Sequence, residues 1–290
     1  MNKTKGLTFG ILAGFIYGFT PILGKLTYLE GSNPISLTFY RNLLSIPFFF
    51  VMLKYNNVPL KVTKSQTKQL AILGLLASAT ALSLYSSYNY ISVGMSTTIH
   101  YIYPVLVTAA CIIIFGDKIS RDKVVSLILS TMGITLFFEG SINITGILIA
   151  FMSGVFFAGY LIFMDKSGLN TIYQFKITFY TAAFSSMYLF IFGIISKNLV
   201  FTMTFKGWFF TVLVAVFVSF FANTFVALGV KYVGPTVTSI VGMLEPITSI
   251  VMGILFINEP ITLRNILACV LILLGVLIVS LSKEKASEDY

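Results

Sequence analysis

Glu245 is the residue of this sequence with the clearest claim to chemistry. It lies about halfway along Val233–Ile261, VGPTVTSIVGMLEPITSIVMGILFINEPI, and Pro246 follows it at once. The stretch is otherwise apolar enough and long enough to cross a bilayer. A carboxylate near the middle of a membrane costs roughly 3 kcal/mol on insertion scales. Proline removes a backbone donor and disturbs the preceding turn. Two unfavourable features side by side point to a cavity or a hinge, not to a lipid-facing helix. Thr238, Gly242, Glu245, Ser249 and Gly253 follow one another at helical spacing and make one small, polar face. On such a face the carboxylate can bind a substrate amine or carry a coupling proton. The plainer alternative is helix packing, with the carboxylate bonded to a neighbouring hydroxyl.

The same pattern occurs earlier. Ser92–Ile119 reads SVGMSTTIHYIYPVLVTAACIIIFGDKI, and Pro104 stands 142 positions before Pro246. At that offset Tyr90 meets Tyr232, Ile112 meets Ile254, Asp117 meets Glu259, Ile119 meets Ile261, Leu129 meets Leu271 and Gly133 meets Gly275. The counterpart of the Glu245 face is Ser96, His100, Tyr103, Val107 and Cys111. Together the two faces offer a central site with one acid, one imidazole and one phenol. His100 is the only histidine. It reads either as a pH-sensitive gate or as a neutral ring satisfied by a neighbouring helix. A metal site is not expected, since there is no second histidine and Cys111 and Cys269 are scattered.

Arg41 sits roughly 10 Å inside the second apolar run, at about 1.5 Å per residue, and cannot shed its charge. It reads as a holder of a substrate carboxylate or as a tie between helix ends. Tyr85 and Tyr88 share a side of the third run. Asn223 lies on the eighth, and Tyr17, Thr20 and Pro21 form the polar part of the first. An aromatic-lined pocket of this kind suits an amphipathic organic solute better than a bare ion.

These side chains need a membrane scaffold. Of the 290 residues 57% are hydrophobic and only 10% charged, against about 25% charged in a soluble domain. The formal charge of +9 is spread over short loops and forms no nucleic-acid patch. Apolar runs of about 20 residues mean helices, not barrel strands. Ten spans are expected: 6–26, 34–53, 69–91, 95–115, 124–138, 144–164, 175–195, 208–230, 235–257 and 263–281. With the N-terminus inside, the inner segments hold most of the Lys and Arg, such as Lys54, Lys61, Lys64, Lys68, Lys118, Arg121, Lys123 and Lys166. The outer ones hold Lys25, Lys197, Lys206 and Arg264. That asymmetry places both termini in the cytoplasm. Five spans per half make the second half enter from the opposite side, so 1–140 and 141–282 read as inverted five-helix repeats, with 283–290 a short cytoplasmic tail. Aligning Gly6 with Gly146 places Tyr17-Gly18 opposite Phe157-Ala158. Transporters built from inverted repeats bind their cargo near the midplane, where interrupted helices of the two halves correspond.

Over nearly its whole length the chain resembles the EamA-type members of the drug/metabolite transporter superfamily. The resembling segments are Tyr17-Gly18 and Gly24-Lys25, Phe39-Tyr40-Arg41, Tyr103-Pro104 with Phe115–Ser120, Leu244-Glu245-Pro246 with Asn258–Thr262, and Leu274-Gly275-Val276. Tyr17 and Phe157 stand where the family usually has tryptophan. The resemblance implies an all-α integral membrane protein of ten helices, with a substrate cavity between the halves and alternating access.

The expected function is secondary transport of a small amphipathic, amino-acid-like metabolite across the plasma membrane, in the direction of export. Multidrug or cation efflux is the alternative. The expected partners are the solute, the lipid bilayer and a coupling proton, in a monomer or a homodimer. No cofactor is expected: the chain has no GxxxxGK[ST] loop, and neither HExxH nor GxSxG, so it reads as no enzyme and no ATP-driven pump.

Overall fold

A computed structural model describes residues 3–91, 93–136, 143–257 and 262–281. The tail 283–290, the motif 258–261 and the end of the fifth expected span lie outside the described residues. The described chain is helical and contains no strand. Its helices are α1 (Lys3–Tyr17), α2 (Thr20–Leu29), α3 (Pro34–Tyr55), α4 (Lys64–Ser87), α5 (Val93–His100), α6 (Tyr103–Ile113), α7 (Arg121–Thr135), α8 (Ile144–Lys166), α9 (Gln174–Ile195), α10 (Phe205–Val214), α11 (Asn223–Gly242), α12 (Glu245–Ile257) and α13 (Leu263–Leu281), with a π-helical segment Ala215–Ala222 joining α10 to α11. Loop-edge side chains start several of these helices. Asn33, Ser120, Asn143 and Thr204 each accept a backbone N–H three residues on, and Thr63 forms a reciprocal capping box with Gln66.

Eight helical stretches are long and apolar enough to cross a membrane. Two expectations differ from that count. The fifth expected span is the 15-residue α7, short for a full crossing. The eighth and the start of the ninth form one 38-residue run, Phe205–Gly242. That run is interrupted at Gly234, whose φ of 77° and ψ of 170° are not helical. Beyond the break the chain folds back: a Cβ on Gly229 would stand 3.0 Å from Thr238, nine residues later. A straight helix would separate those two by about 13 Å, at 1.5 Å per residue.

Large apolar side chains face outward, among them Ile72, Leu75, Ile128, Met132, Phe151, Ile191 and Leu274. The interior is rich instead in small residues that let helices approach closely. The contacts recur reciprocally. A Cβ on Gly133 of α7 would lie 2.8 Å from the Ala268 carbonyl oxygen and 2.8 Å from Ile272 of α13, while one on Gly275 of α13 would lie 2.7 Å from the Ser126 carbonyl oxygen and 2.2 Å from Ser130 of α7. Gly133 and Gly275, Ser126 and Ala268, and Ser130 and Ile272 are each 142 positions apart. Likewise α1 packs through Gly6 on Tyr232 and Val233, and α8 packs through Gly146 on Tyr90 and Ile91.

The ends are clipped in the same paired fashion. The Tyr40 hydroxyl on α3 donates to the Val200 carbonyl at 3.0 Å, and the Tyr180 hydroxyl on α9 donates to the Leu60 carbonyl at 2.6 Å. Ser36 accepts the Val200 N–H, and Lys176 donates to the Lys61 carbonyl. Each connection after α3 or α9 is therefore fastened to the first turns of the other helix.

Candidate functional site

Three helical runs break at the same kind of place. α1 passes to α2 through Gly18-Phe19, α5 to α6 through Tyr101-Ile102, and α11 to α12 through Met243-Leu244. In each case proline is the second residue of the following helix: Pro21, Pro104 and Pro246. Proline is tolerated there because an N–H in the first turn has no intrahelical partner. It also leaves the carbonyl four residues earlier, on Tyr17, His100 or Gly242, without its usual donor. The residues just before the prolines, Thr20, Tyr103 and Glu245, all line one internal cavity of about 120 Å³. So do Tyr17, His100 and Gly242.

The cavity wall is completed by α3, α4, α8, α9 and the start of α11. The Tyr17 hydroxyl donates to the side-chain oxygen of Asn223, the first residue after the π-helical segment. The Tyr103 hydroxyl reaches the Ser239 carbonyl at 3.4 Å. It also lies 2.7 Å from where a Cβ on Gly242 would be, so only glycine at 242 admits the ring. His100 and Ser153 are 2.8 Å apart, Nδ1 to Oγ. Ser153 Oγ is also 2.6 Å from the Ala150 carbonyl, which can only accept. The single serine proton is used there, so Nδ1 carries a proton and donates to Ser153. The imidazole packs against Tyr103 and Phe157, at ring separations of 5.3 and 5.5 Å, and Phe157 stacks on Tyr160.

Two charged side chains line the cavity, Glu245 and Arg41. The phenol of Tyr101 lies within hydrogen-bonding reach of the Glu245 carboxylate. The Arg41 guanidinium lies over the Tyr85 ring, 5.6 Å from its centre. Among the described residues the two form no ion pair with each other; the carboxylate pairs present are those of Lys166 with Asp117 and Asp165.

Of the residues singled out in the sequence, Glu245, His100, Tyr103, Thr238, Asn223, Tyr85, Tyr17 and Arg41 come together around this cavity. Ser96 and Ser249 do not line it. Ser96 is fully buried and Ser249 half-buried. Ser96 shares α5 with His100 and Ser249 shares α12 with Glu245, so each stands one helical turn along from a residue that does line the cavity. Thr178 and Thr181 of α9 and Ser239 of α11 line the cavity without having been singled out. A three-residue spacing of small hydroxyls on the seventh apolar run was the available signal. Cys111 is buried and Cys269 half-buried, both as free thiols. Among the described residues no group of three His, Cys, Asp or Glu side chains converges on a metal position.

Many membrane-crossing helices packed through small residues around a polar cavity, with helix breaks at its wall, fit a multi-pass membrane transporter. The sequence pattern of the EamA-like transporter family matches twice, over residues 4–139 and 144–281, and the chain belongs to that family. It is therefore a transporter and not an enzyme. An uncharacterized transporter of Clostridium kluyveri is 23% identical, with 98% of this chain and 96% of that protein covered. A solved crystal structure that is 14% identical has the same fold, with a TM-score of 0.81 over 94% of this chain and 96% of its own.

Proposed function

We propose that this protein is a secondary transporter that moves a small amphipathic, amino-acid-like metabolite out of the cell across the plasma membrane. In this reading 1–140 and 141–282 are inverted five-helix repeats with ten crossings, both termini are cytoplasmic, and the cavity opens alternately to either side. Reciprocal glycine contacts and end clips support the repeat relation, because an in-plane two-fold axis exchanges each contact with its partner. The reversal at Gly234 supports separate eighth and ninth crossings. The basic residues on the inner loops support the orientation.

The observation that carries the reading is Glu245. It begins a half-helix beside a proline, lines the central cavity and has no cationic partner among the described residues. A carboxylate in such a place with no cation beside it binds the amine of the solute, or a proton in exchange for it.

Counterflow in proteoliposomes tests this. A panel of labelled amino acids and nucleosides is offered with and without a pH gradient, to the wild type and to Glu245→Gln. Saturable exchange of one solute class is expected, weakened about 10- to 100-fold in the variant, the equivalent of one charge-assisted contact of about 1.5–3 kcal/mol. Gradient-driven accumulation in the wild type alone makes Glu245 the coupling group. Unchanged exchange in the variant removes Glu245 from the mechanism.

A further inference from the structure

Three side chains that line the cavity carry a buried polar atom with no hydrogen-bond partner: Arg41 at Nε, and Thr20 and Thr181 at their hydroxyls. Arg41 is only 8% exposed and Thr20 7%. Arginine has donors and no acceptor, so what is missing at Arg41 is an acceptor, and for a cation the best acceptor is anionic. The Tyr85 ring under the guanidinium stabilises its charge but lies under the face of the group and offers no lone pair to the Nε–H. A charge within the membrane is costly unless it is paired. The ring therefore leaves the buried Nε–H of Arg41 without an acceptor. Glu245 lines the same cavity and does not pair with it.

Arg41 is also where the two halves differ. Thr38, Phe39 and Tyr40 have counterparts in Thr178, Phe179 and Tyr180, each 140 positions on. The next position is Arg41 in one half and Thr181 in the other. Glu245 faces a similar difference, for its counterpart 142 positions earlier is Tyr103. The cation thus belongs to one half alone and the acid to the other.

We infer that Arg41 and Thr20 form an oxyanion subsite that receives the carboxylate of the transported solute, while Glu245 faces its amine. The inference rests on reading the cavity as the substrate site, and it narrows the substrate to zwitterions that carry a carboxylate. A plain lipophilic cation would leave the guanidinium unpaired and face its repulsion, so cation efflux does not fit this cavity.

The test compares neutral amino acids with their primary amides and their decarboxylated amines. Each is measured as a competitor in counterflow and, separately, by thermal protection of the purified protein. In the wild type the acid is expected to act at least about 10-fold more tightly than its amide, as for a charged group bound by arginine. Arg41→Gln should bring that ratio to about one by weakening the acid and not the amide. Arg41→Lys should restore part of it, because the charge returns without the planar fork. Thr20→Val, which keeps shape and removes only the hydroxyl, should narrow it a few-fold and carries the test if Arg41→Gln does not fold. Equal action of acid and amide on the wild type overturns the subsite, as does equal weakening of both by Arg41→Gln, or protection by neither. Counterflow of no solute, with acid-selective protection that still depends on Arg41, would leave the subsite standing and remove the transport reading.

Discussion

Substituting Gly275 by alanine tests the packing on which the two halves depend. The new Cβ would stand 2.2 Å from Ser130 Oγ, 2.7 Å from the Ser126 carbonyl oxygen and 3.2 Å from the Ser130 nitrogen. The first neighbour can turn away, but the other two are helix backbone, and Ser126 is further fixed because its own hydroxyl donates to the Gly275 carbonyl at 2.7 Å. The helices α7 and α13 must therefore separate locally. Overpacking of this kind costs typically about 1–3 kcal/mol, or roughly 2–12 °C in thermal midpoint at about 2–4 °C per kcal/mol. Gly133→Ala should cost a similar amount, since its Cβ would meet the Ala268 carbonyl oxygen at 2.8 Å. Ser130→Ala alone should be nearly silent, because the Ser130 hydroxyl has no partner to lose. Combined with Gly275→Ala it should recover part of the loss but not all, since the Ser126 contact remains. The control is Gly24→Ala, whose Cβ would meet only Leu37, at 3.7 Å. There helix propensity should raise stability by up to about 1 kcal/mol. The assay is the thermal midpoint in one detergent at one scan rate. Gly275→Ala and Gly133→Ala as stable as Gly24→Ala would refute the reciprocal packing.

Tyr17→Phe removes the phenol from Asn223 within the cavity and should weaken solute binding about 5-fold, the worth of about 1 kcal/mol for one hydrogen bond, as read by competition in counterflow. Tyr180→Phe should unfasten the connection after α3, and Tyr40→Phe the one after α9; faster cleavage confined to the matching connection under limited proteolysis is the expected result, and cleavage of both in either variant would count against paired clips. Asp117→Asn should change the thermal midpoint very little, because Asp117 and Lys166 are partly exposed, at 39% and 27% of their side chains, and such pairs contribute less than about 1 kcal/mol.

The helices and most of the cavity were legible in the sequence for different reasons. Apolar runs near 20 residues are dictated by bilayer thickness, so most of the crossing stretches were plain, while α7 is short for a span and the expected eighth span and the start of the ninth form one run. Glu245 and Tyr103 stood out because a polar group beside proline in an apolar run is costly unless it faces a cavity, and Tyr17 because it belongs to the polar part of the first run. What the sequence could not place was how far along each helix the cavity extends. Helical spacing set Ser96 and Ser249 on the faces of His100 and Glu245, but each stands one turn along its helix from that residue and outside the lining. The π-helical segment ahead of Asn223 left no such mark, for its residues, AVFVSFFA, form an ordinary apolar run. Thr178 and Thr181 were missed because hydroxyls within a transmembrane helix can be satisfied by their own backbone, as Thr178 is by the Gln174 carbonyl, and so carry no outward sign of function.

The proposed two-fold relation and the charges of the cavity make different demands on one chain. Alternation between inward- and outward-facing forms is useful only if the two lie within a few kcal/mol of each other. Repeating the same contacts in both halves serves that end, because what one form loses at one end it regains at the other. The repeated features here are the structural ones: Gly133 with Gly275, Tyr40 with Tyr180, Pro104 with Pro246. A solute with a distinct head and tail has no two-fold axis, so the groups that hold it cannot be repeated. Four substitutions between the halves fall on the cavity wall: Arg41 for Thr181, Tyr103 for Glu245, His100 for Gly242 and Tyr17 for Phe157. One of these differences is also required by packing, because the Tyr103 hydroxyl occupies the space that any side chain at 242 would need. Symmetry in the shell and asymmetry in the lining are then two parts of one arrangement. In the proposed alternating-access mechanism the shell would keep the two forms close in energy, and the lining would fix which way round the solute sits in both.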